Sequence, residues 1–325
     1  SEAIWRIEIP GGVSVKLNFE ELLGYCAEQG YLAECNLAYA RMYGYNAPEQ
    51  MEGFHLSQLM PVDNPGNLEY FISFIESGFR LTNAESIEYD KEGNIKYILN
   101  NLIGIIENEK LIRIWGTQRD ITQQRKVQED LIYKDKLLSV IADSANSLLK
   151  EEDYNNILPD ILQNLLAATS SDRAHIFENS KNESGELITS QKFECCSSVC
   201  EPHTNNPAFQ NIPFRVFKDH LGELQEDAVF TGLTGEWENK EIRQWFVQKE
   251  IKSLLIVPII VNQEYWGTVG LEDCHKPRMW SDMDRGVLKT FATSLASAVE
   301  RKKAGEAILE SEARFRYMAD TAPVM

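Results

Sequence analysis

Residues 193–203, FECCSSVCEPH, bring Cys195, Cys196, Cys200 and His203 into eleven positions, half of the chain's six cysteines with one of its five histidines. Four such side chains are enough in number for a tetrahedral zinc site, and free thiols could alternatively exchange with disulfides. The spacing argues against metal. Neighbouring residues on a strand point to opposite faces, and structural zinc sites take their cysteines in pairs two to four residues apart. Ordinary packing and loop thiols is the preferred reading, with redox sensing and metal binding as the alternatives.

Other chemistry is sparsely represented. There is no glycine-rich phosphate loop of the Walker type, and no histidine opens a His-Glu-Leu or His-Asp-Leu helix. Lys and Arg number 32 against 50 Asp and Glu, a formal charge of −18, which repels nucleic-acid backbones and anionic membrane surfaces. The most apolar run, Ser253 to Asn262, is too short to cross a bilayer and contains Pro258. With no secretory signal pattern, the six unevenly spaced cysteines fit a reducing cytoplasm.

The elements that must hold these residues fall into two groups. In the first, Ala3–Ile9 reads as a strand stopped by Pro10-Gly11-Gly12, followed by a helix through Phe19, Leu22, Leu23 and Cys26. Asn36 is placed to cap a short helix from Leu37 to Tyr43, closed by Gly44. A helix near Leu68 to Ile75 leads into strands Ala84–Tyr89, Ile95–Ile106 and Leu111–Gln118, joined by turns at 90–94 and 107–110. Strict alternation would put Leu111, Arg113 and Trp115 on one face of the last strand and Ile112 and Ile114 on the other.

From Ile121 to Leu149 the chain has no proline or glycine. Heptads with Gln124, Leu131, Leu138 and Ala145 at a, and Val127, Lys134, Ile141 and Leu148 at d, suggest a coiled coil, against the alternative of one amphipathic helix packed on its own domain. The second group runs from Tyr154 to Val299. It has a helix through Ile157, Ile161, Leu165 and Leu166, a strand at Ala174–Phe177, a polar helix at Glu238–Val247, a hairpin of Ser253–Val261 with Tyr265–Leu271, and a final helix carrying Val287, Leu288, Phe291, Leu295 and Ala298. The expected fold is α+β: two domains, each built on a central antiparallel β-sheet, joined by long helices.

YLAECNLAYARMYGY (31–45), NAESIEYDKEGN (83–94) and LIRIWGTQRDITQQRKVQEDL (111–131) together resemble a PAS domain with its C-terminal motif, Asp120-Ile121-Thr122 matching the exit into an output helix. Residues 253–303 resemble the last hairpin and helix of a GAF domain. ILESEARFRYMADTAPVM resembles the entry to a further PAS domain, cut short. These resemblances imply a PAS domain at 1–122, a helical linker at 123–150, a GAF domain at 151–302 and a connector at 303–325. They also imply the cytoplasmic, dimeric signal-input region of a bacterial sensor histidine kinase, pairing through the 121–149 helix and relaying to an output domain of the same parent chain. No nucleic acid and no membrane span enter this reading, and no catalytic residue is expected in this region. The input region of a cyclic-di-GMP synthase or phosphodiesterase, or a thiol redox or metal sensor, is the alternative.

The resemblance also bears on cofactors. MEGFHLSQLMP (51–61) lacks the cysteine of flavin-adduct PAS domains. VDNPGNLEYFISF (62–74) lacks the haem-binding histidine that would follow Leu59-Met60-Pro61, and His55 precedes that motif. WENKEIRQWFVQKEIK (237–252) lacks a bilin-attaching cysteine, while Cys274-His275 follows the last strand. Flavin adduct, haem and covalent bilin are all disfavoured, and any cofactor is unassigned. On the family match Cys196 holds the expected position, Cys195 replaces an aromatic and Cys200 is extra. Asn36, Tyr43 and Trp115 in the first unit, and Cys196 and Trp266 in the second, are the candidate ligand contacts, each with core packing or capping as the alternative role.

Overall fold

The computed structural model describes residues 2–60, 65–204, 206–214, 229–236 and 240–321. Two compact units, 1–130 and 131–325, each carry one antiparallel sheet.

In the first unit the strands are β1 (Ala3–Ser14), β2 (Tyr31–Cys35), β3 (Arg80–Tyr89), β4 (Ile95–Glu107) and β5 (Lys110–Asp120), in the spatial order β2-β1-β5-β4-β3. Helices α1 (Phe19–Gln29), α2 (Leu37–Met42), α3 (Leu56–Leu59) and α4 (Pro65–Glu76) contribute to its core. Asn18 caps α1 by accepting from the Glu21 amide at 2.9 Å, and α1 buries Leu22 and Cys26. The chain thus makes a helical excursion between two strands that pair directly.

Two departures from simple alternation set which residues face this core. Pro10-Gly11-Gly12 does not end β1. Both glycines take positive φ, 73° and 65°, in a bulge after which Val13 pairs with Leu111, so the strand continues to Ser14 and the proline needs no ladder bond. A second bulge falls at Ile112, between the pairs Ile105–Arg113 and Ile106–Leu111. One extra residue reverses the faces, so Leu111 and Ile114 are buried together while Trp115 points outward. The grouping of Leu111 with Trp115 expected from strict alternation is therefore corrected. Gly116 follows on the inner face because the Trp5 indole lies there: a Cβ would sit 2.3 Å from its ring.

Helix α5 (Thr122–Lys150) leaves β5. Its start is fastened to the first unit: Asp120 accepts from the Thr122 amide at 2.8 Å, Thr122 Oγ1 accepts from the Tyr97 amide at 2.9 Å, and Arg125 lies over the Tyr97 ring and pairs with Glu85.

In the second unit the order is β8-β7-β6-β11-β10-β9, comprising β6 (Arg173–Lys181), β7 (Leu187–Cys196), β8 (Ile212–Pro213), β9 (Phe230–Leu233), β10 (Ser253–Val261) and β11 (Glu264–Asp273). One face packs on α6 (Leu158–Thr169), α8 (Asp282–Thr321) and the second part of α5. The polar helix expected at Glu238–Val247 is α7 (Lys240–Gln248); residues 237–239 lie outside the described set. Along α5, Leu137, Val140, Ile141, Ser144 and Leu148 form a stripe of 3.6-residue period, with Leu137 fully buried in this core. The heptad residues Val127, Leu131 and Leu138 lie on exposed surface, Leu131 at 57%. The amphipathic packing on the second unit is thus present, and it takes Ile141 and Leu148 out of the expected heptad seam, leaving Val127, Leu131 and Leu138 as its exposed apolar members.

Truncating the buried stripe opens a cavity, whereas truncating the exposed row does not. Leu137→Ala is expected to cost the second unit about 2–5 kcal/mol, and Leu131→Ala to leave its stability within about 0.5 kcal/mol. Urea unfolding of the two variants checks this difference.

Candidate functional site

The inner face of the first sheet carries a buried polar centre. Strand β3 turns Ser86 and Glu88 inward, β4 contributes Asn100, β5 contributes Gln118, and Tyr43 enters from the end of α2. Glu88 accepts from Ser86 Oγ at 2.7 Å and Gln118 Nε2 at 3.0 Å, and its other oxygen bonds the Tyr43 hydroxyl. Gln118 Nε2 also donates to Asn100 Oδ1 at 2.8 Å, and Asn100 Nδ2 donates to Ser86 Oγ at 2.8 Å. Burial pushes Glu88 above the usual carboxylate range, although its three donors pull the other way. The Tyr43 hydroxyl is raised first by burial and then by the Glu88 charge. Beside this centre lies a cavity of about 30 Å³ lined by Trp5, Tyr39, Tyr70, Leu102, Glu88 and Gln118. That is room for a water molecule or two, not for an organic ligand.

Of the residues singled out in this unit, only Tyr43 belongs to that centre. Asn36 caps α2: its Oδ1 accepts from the Tyr39 amide at 2.9 Å and the Ile4 amide at 3.2 Å, and its Nδ2 donates to the Glu2 carbonyl. Trp115 is 38% exposed, with the Arg6 guanidinium 5.6 Å from its ring. His55 is exposed at the start of α3.

The second sheet has a comparable centre on the face away from α6 and α8. Arg173 begins β6 opposite Cys196 of β7 and Glu272 of β11, with Glu194 two cross-strand pairs along, opposite His175. Its Nε lies 2.9 Å from Glu194 Oε1, its Nη1 donates to Glu272 at 2.7 Å, and its Nη2 donates to the Glu201 carbonyl at 2.8 Å. All three charged side chains are nearly solvent-free. Burial works against the Arg173 charge, but Glu272 raises its pKa above the ordinary value. Glu194 is lowered despite burial, because Thr204 and the His203 amide donate to it at 2.8 and 2.6 Å. His175 fits against Gly270, where a Cβ would lie 2.1 Å from the ring nitrogen. Burial holds its pKa below normal against the pull of Glu272.

An open cleft of about 540 Å³ lies over this centre, lined by Arg173, Cys200, His203, Asn206, Lys249 and Cys274 among others. The sequence cluster is split by the sheet. Cys195 turns to the helical side and its Sγ lies 3.4 Å from the Pro159 carbonyl, whereas Cys196 lies on the Arg173 side with its thiol pushed up to about 11 by burial. Trp266 is in the helical core, edge-on to Tyr154, and does not reach the cleft. Among the described residues no group of three or more His, Cys, Asp or Glu is arranged to hold a metal ion.

The residues missed in the sequence are Glu88, Asn100, Gln118, Arg173, Glu194 and Glu272. Their signal was present in part: Ser86 and Glu88, and Arg173 and His175, occupy alternate strand positions. Period two says that such residues share a face, but not that the face is buried.

Residues 21–123 match the PAS domain family and residues 153–299 the GAF domain family. The chain is therefore a tandem of sensor domains, a PAS domain followed by a GAF domain. It is similar to the methanogenesis regulatory histidine kinase FilI of Methanothrix harundinacea, 36% identical over 191 residues, a match that covers 58% of this chain and 21% of that protein. The chain thus spans about a fifth of the length of that relative. Among solved structures it is similar to the chromophore-binding domain of a Stigmatella aurantiaca bacteriophytochrome, at 12% identity and TM-score 0.43 over 91% of this chain and 93% of that one. It is also similar to the photoproduct state of a GAF domain from Synechocystis sp., at 19% identity and TM-score 0.41 over 48% and 99%. The PAS family match begins at residue 21, yet β1 (Ala3–Ser14) lies between β2 and β5 and completes the sheet.

Because Glu88 is raised in the folded state, its contribution to stability is complete below its unfolded value of about 4.3 and is lost as pH rises through the native value. Glu88→Gln is expected to remove this slope from the first unit while leaving the second unit unchanged. Urea-dependent proteolysis of peptides within residues 80–120, compared across pH, reads the difference. An unaltered slope in Glu88→Gln would assign it to another group.

Proposed function

We propose that the chain is the signal-input region of a sensor histidine kinase, acting in the cytoplasm and passing conformational change to an output domain of the same parent chain. The observation that carries this reading is α5. Its first turn is bonded to β4 of the PAS unit, and residues 133–148 pack into the GAF core, so one uninterrupted helix is part of both folds. A stimulus that prefers one arrangement of the first sheet biases the start of that helix, and the helix carries the bias onward. The histidine kinase relative supports the class of output. Among the described residues no helix is long and apolar enough to cross a membrane.

The exposed row Val127, Leu131 and Leu138 is the surface on which two copies pair as a parallel coiled coil. Of the candidate contacts, Tyr43 serves the PAS unit by linking α2 to the Glu88 centre, and Cys196 serves the GAF unit beside Arg173. Asn36, Trp115 and Trp266 contribute capping, surface stacking and core packing.

The relay is tested by a chimera with a histidine kinase catalytic region fused after α8 (Asp282–Thr321). Seven residues inserted between Lys126 and Asp130 preserve the phase of the row and are expected to leave autophosphorylation within about twofold of the parent, whereas a four-residue insertion shifts it by about tenfold or more. Equal activities from both insertions would refute the relay. A chimera that sediments as a monomer at every concentration would refute the paired arrangement.

A further inference from the structure

Cys200 and Cys274 are far apart in sequence and meet at the rim of the GAF cleft, both lining it. Each thiol is near enough to act on the ionisation of the other, and the Cys200 amide closes its turn on the Ser197 carbonyl at 3.4 Å. One residue, Asp172, holds both cysteine-bearing turns. Its carbonyl accepts from the Ser197 amide at 2.8 Å and its Oδ1 from Ser197 Oγ at 3.3 Å, while its Oδ2 accepts from the Cys274 and His275 amides, each at 2.8 Å. The Arg173 bond to the Glu201 carbonyl pins the residue after Cys200 as well. The pairing is thus imposed by backbone anchors on either side and not by one flexible loop.

We propose that Cys200 and Cys274 form a reversible redox pair, a thiol modification site for small disulfides at the mouth of the GAF cleft. It deepens the sensor reading above by naming one stimulus, and it stands on the geometry of the GAF unit alone. Cys200 is the attacking thiol: burial raises both thiols and Arg173 favours both thiolates, but the interaction between the two favours the thiolate of Cys200 and disfavours that of Cys274. Deprotonated Cys200 attacks one sulfur of the small disulfide, forming a mixed disulfide and expelling one thiol. Cys274 then loses its proton and attacks the Cys200 sulfur, expelling the second thiol. Two protein thiols are oxidised and one small disulfide is reduced to two thiols. The closed bond bridges residues 201–273 and locks the rim of the cleft. Burial raises both thiols above their ordinary values, so the reaction accelerates with pH.

The test treats the native chain with oxidised glutathione at pH 7 and pH 9, blocks free thiols with iodoacetamide and maps the peptides by mass. The expected result is a Cys200–Cys274 crosslink, with alkylated cysteines falling from the six of the sequence to four, and roughly tenfold or more faster closure at pH 9, in line with growth of the thiolate fraction. Cys200→Ser abolishes glutathione incorporation at this site, and Cys274→Ser leaves stable glutathione on Cys200. Persistent mixed disulfide on wild-type Cys200, a Cys196–Cys200 bond, or six alkylated cysteines throughout would each overturn the proposal. None of these results bears on the insertion test of the relay, so the two readings fail separately.

Discussion

Arg173 sits almost without solvent between Glu194 and Glu272, and a charge taken out of water must be paired where it lies. That requirement orders much of the second unit. It fixes the approach of β7 and β11 to β6, and Arg173 holds the segment after β7 by donating to the Glu201 carbonyl, while Glu194 takes the amides of His203 and Thr204. The cleft and the two thiols at its rim exist because this segment is held down. The trio is not a cheap source of stability, since apolar residues of similar size commonly do as well. Its effect is to specify one loop arrangement.

The first unit answers a related constraint with one formal charge. Among the described residues no cation pairs with Glu88, and three hydroxyl or amide donors take its oxygens instead. Desolvation outweighs them, so its proton is held more tightly than that of an ordinary carboxylic acid. Tyr43 ties this carboxyl to α2, whose other end is capped by Asn36, and Gln118 ties it to β5, two residues before Asp120 begins the exit into α5. A change at Glu88 therefore has a short covalent route to α5.

Much of this was legible in the sequence. The α+β class, the order of the two domains, the turns of β3, β4 and β5, and the cap at Asn36 all follow from periodicity, turn chemistry and motif resemblance. What was not legible depended on single-residue shifts and on contacts distant in sequence. The bulge at Ile112 exchanges the faces of β5, and no local pattern announces it. Cys200 meets Cys274 only because Asp172 gathers two separate turns. Proximity in sequence suggested a cluster of Cys195, Cys196 and Cys200, and the alternation of β7 separates its first two members.

The most direct test of the claim that buried, paired charge organises the GAF cleft is amide hydrogen exchange on Arg173→Met. The account predicts a loss of protection concentrated in residues 197–204 and 272–275, with β1 to β5 of the PAS unit unchanged. Protection of 197–204 equal to that of the parent chain would show that the loop is held by something other than Arg173 and would contradict the account.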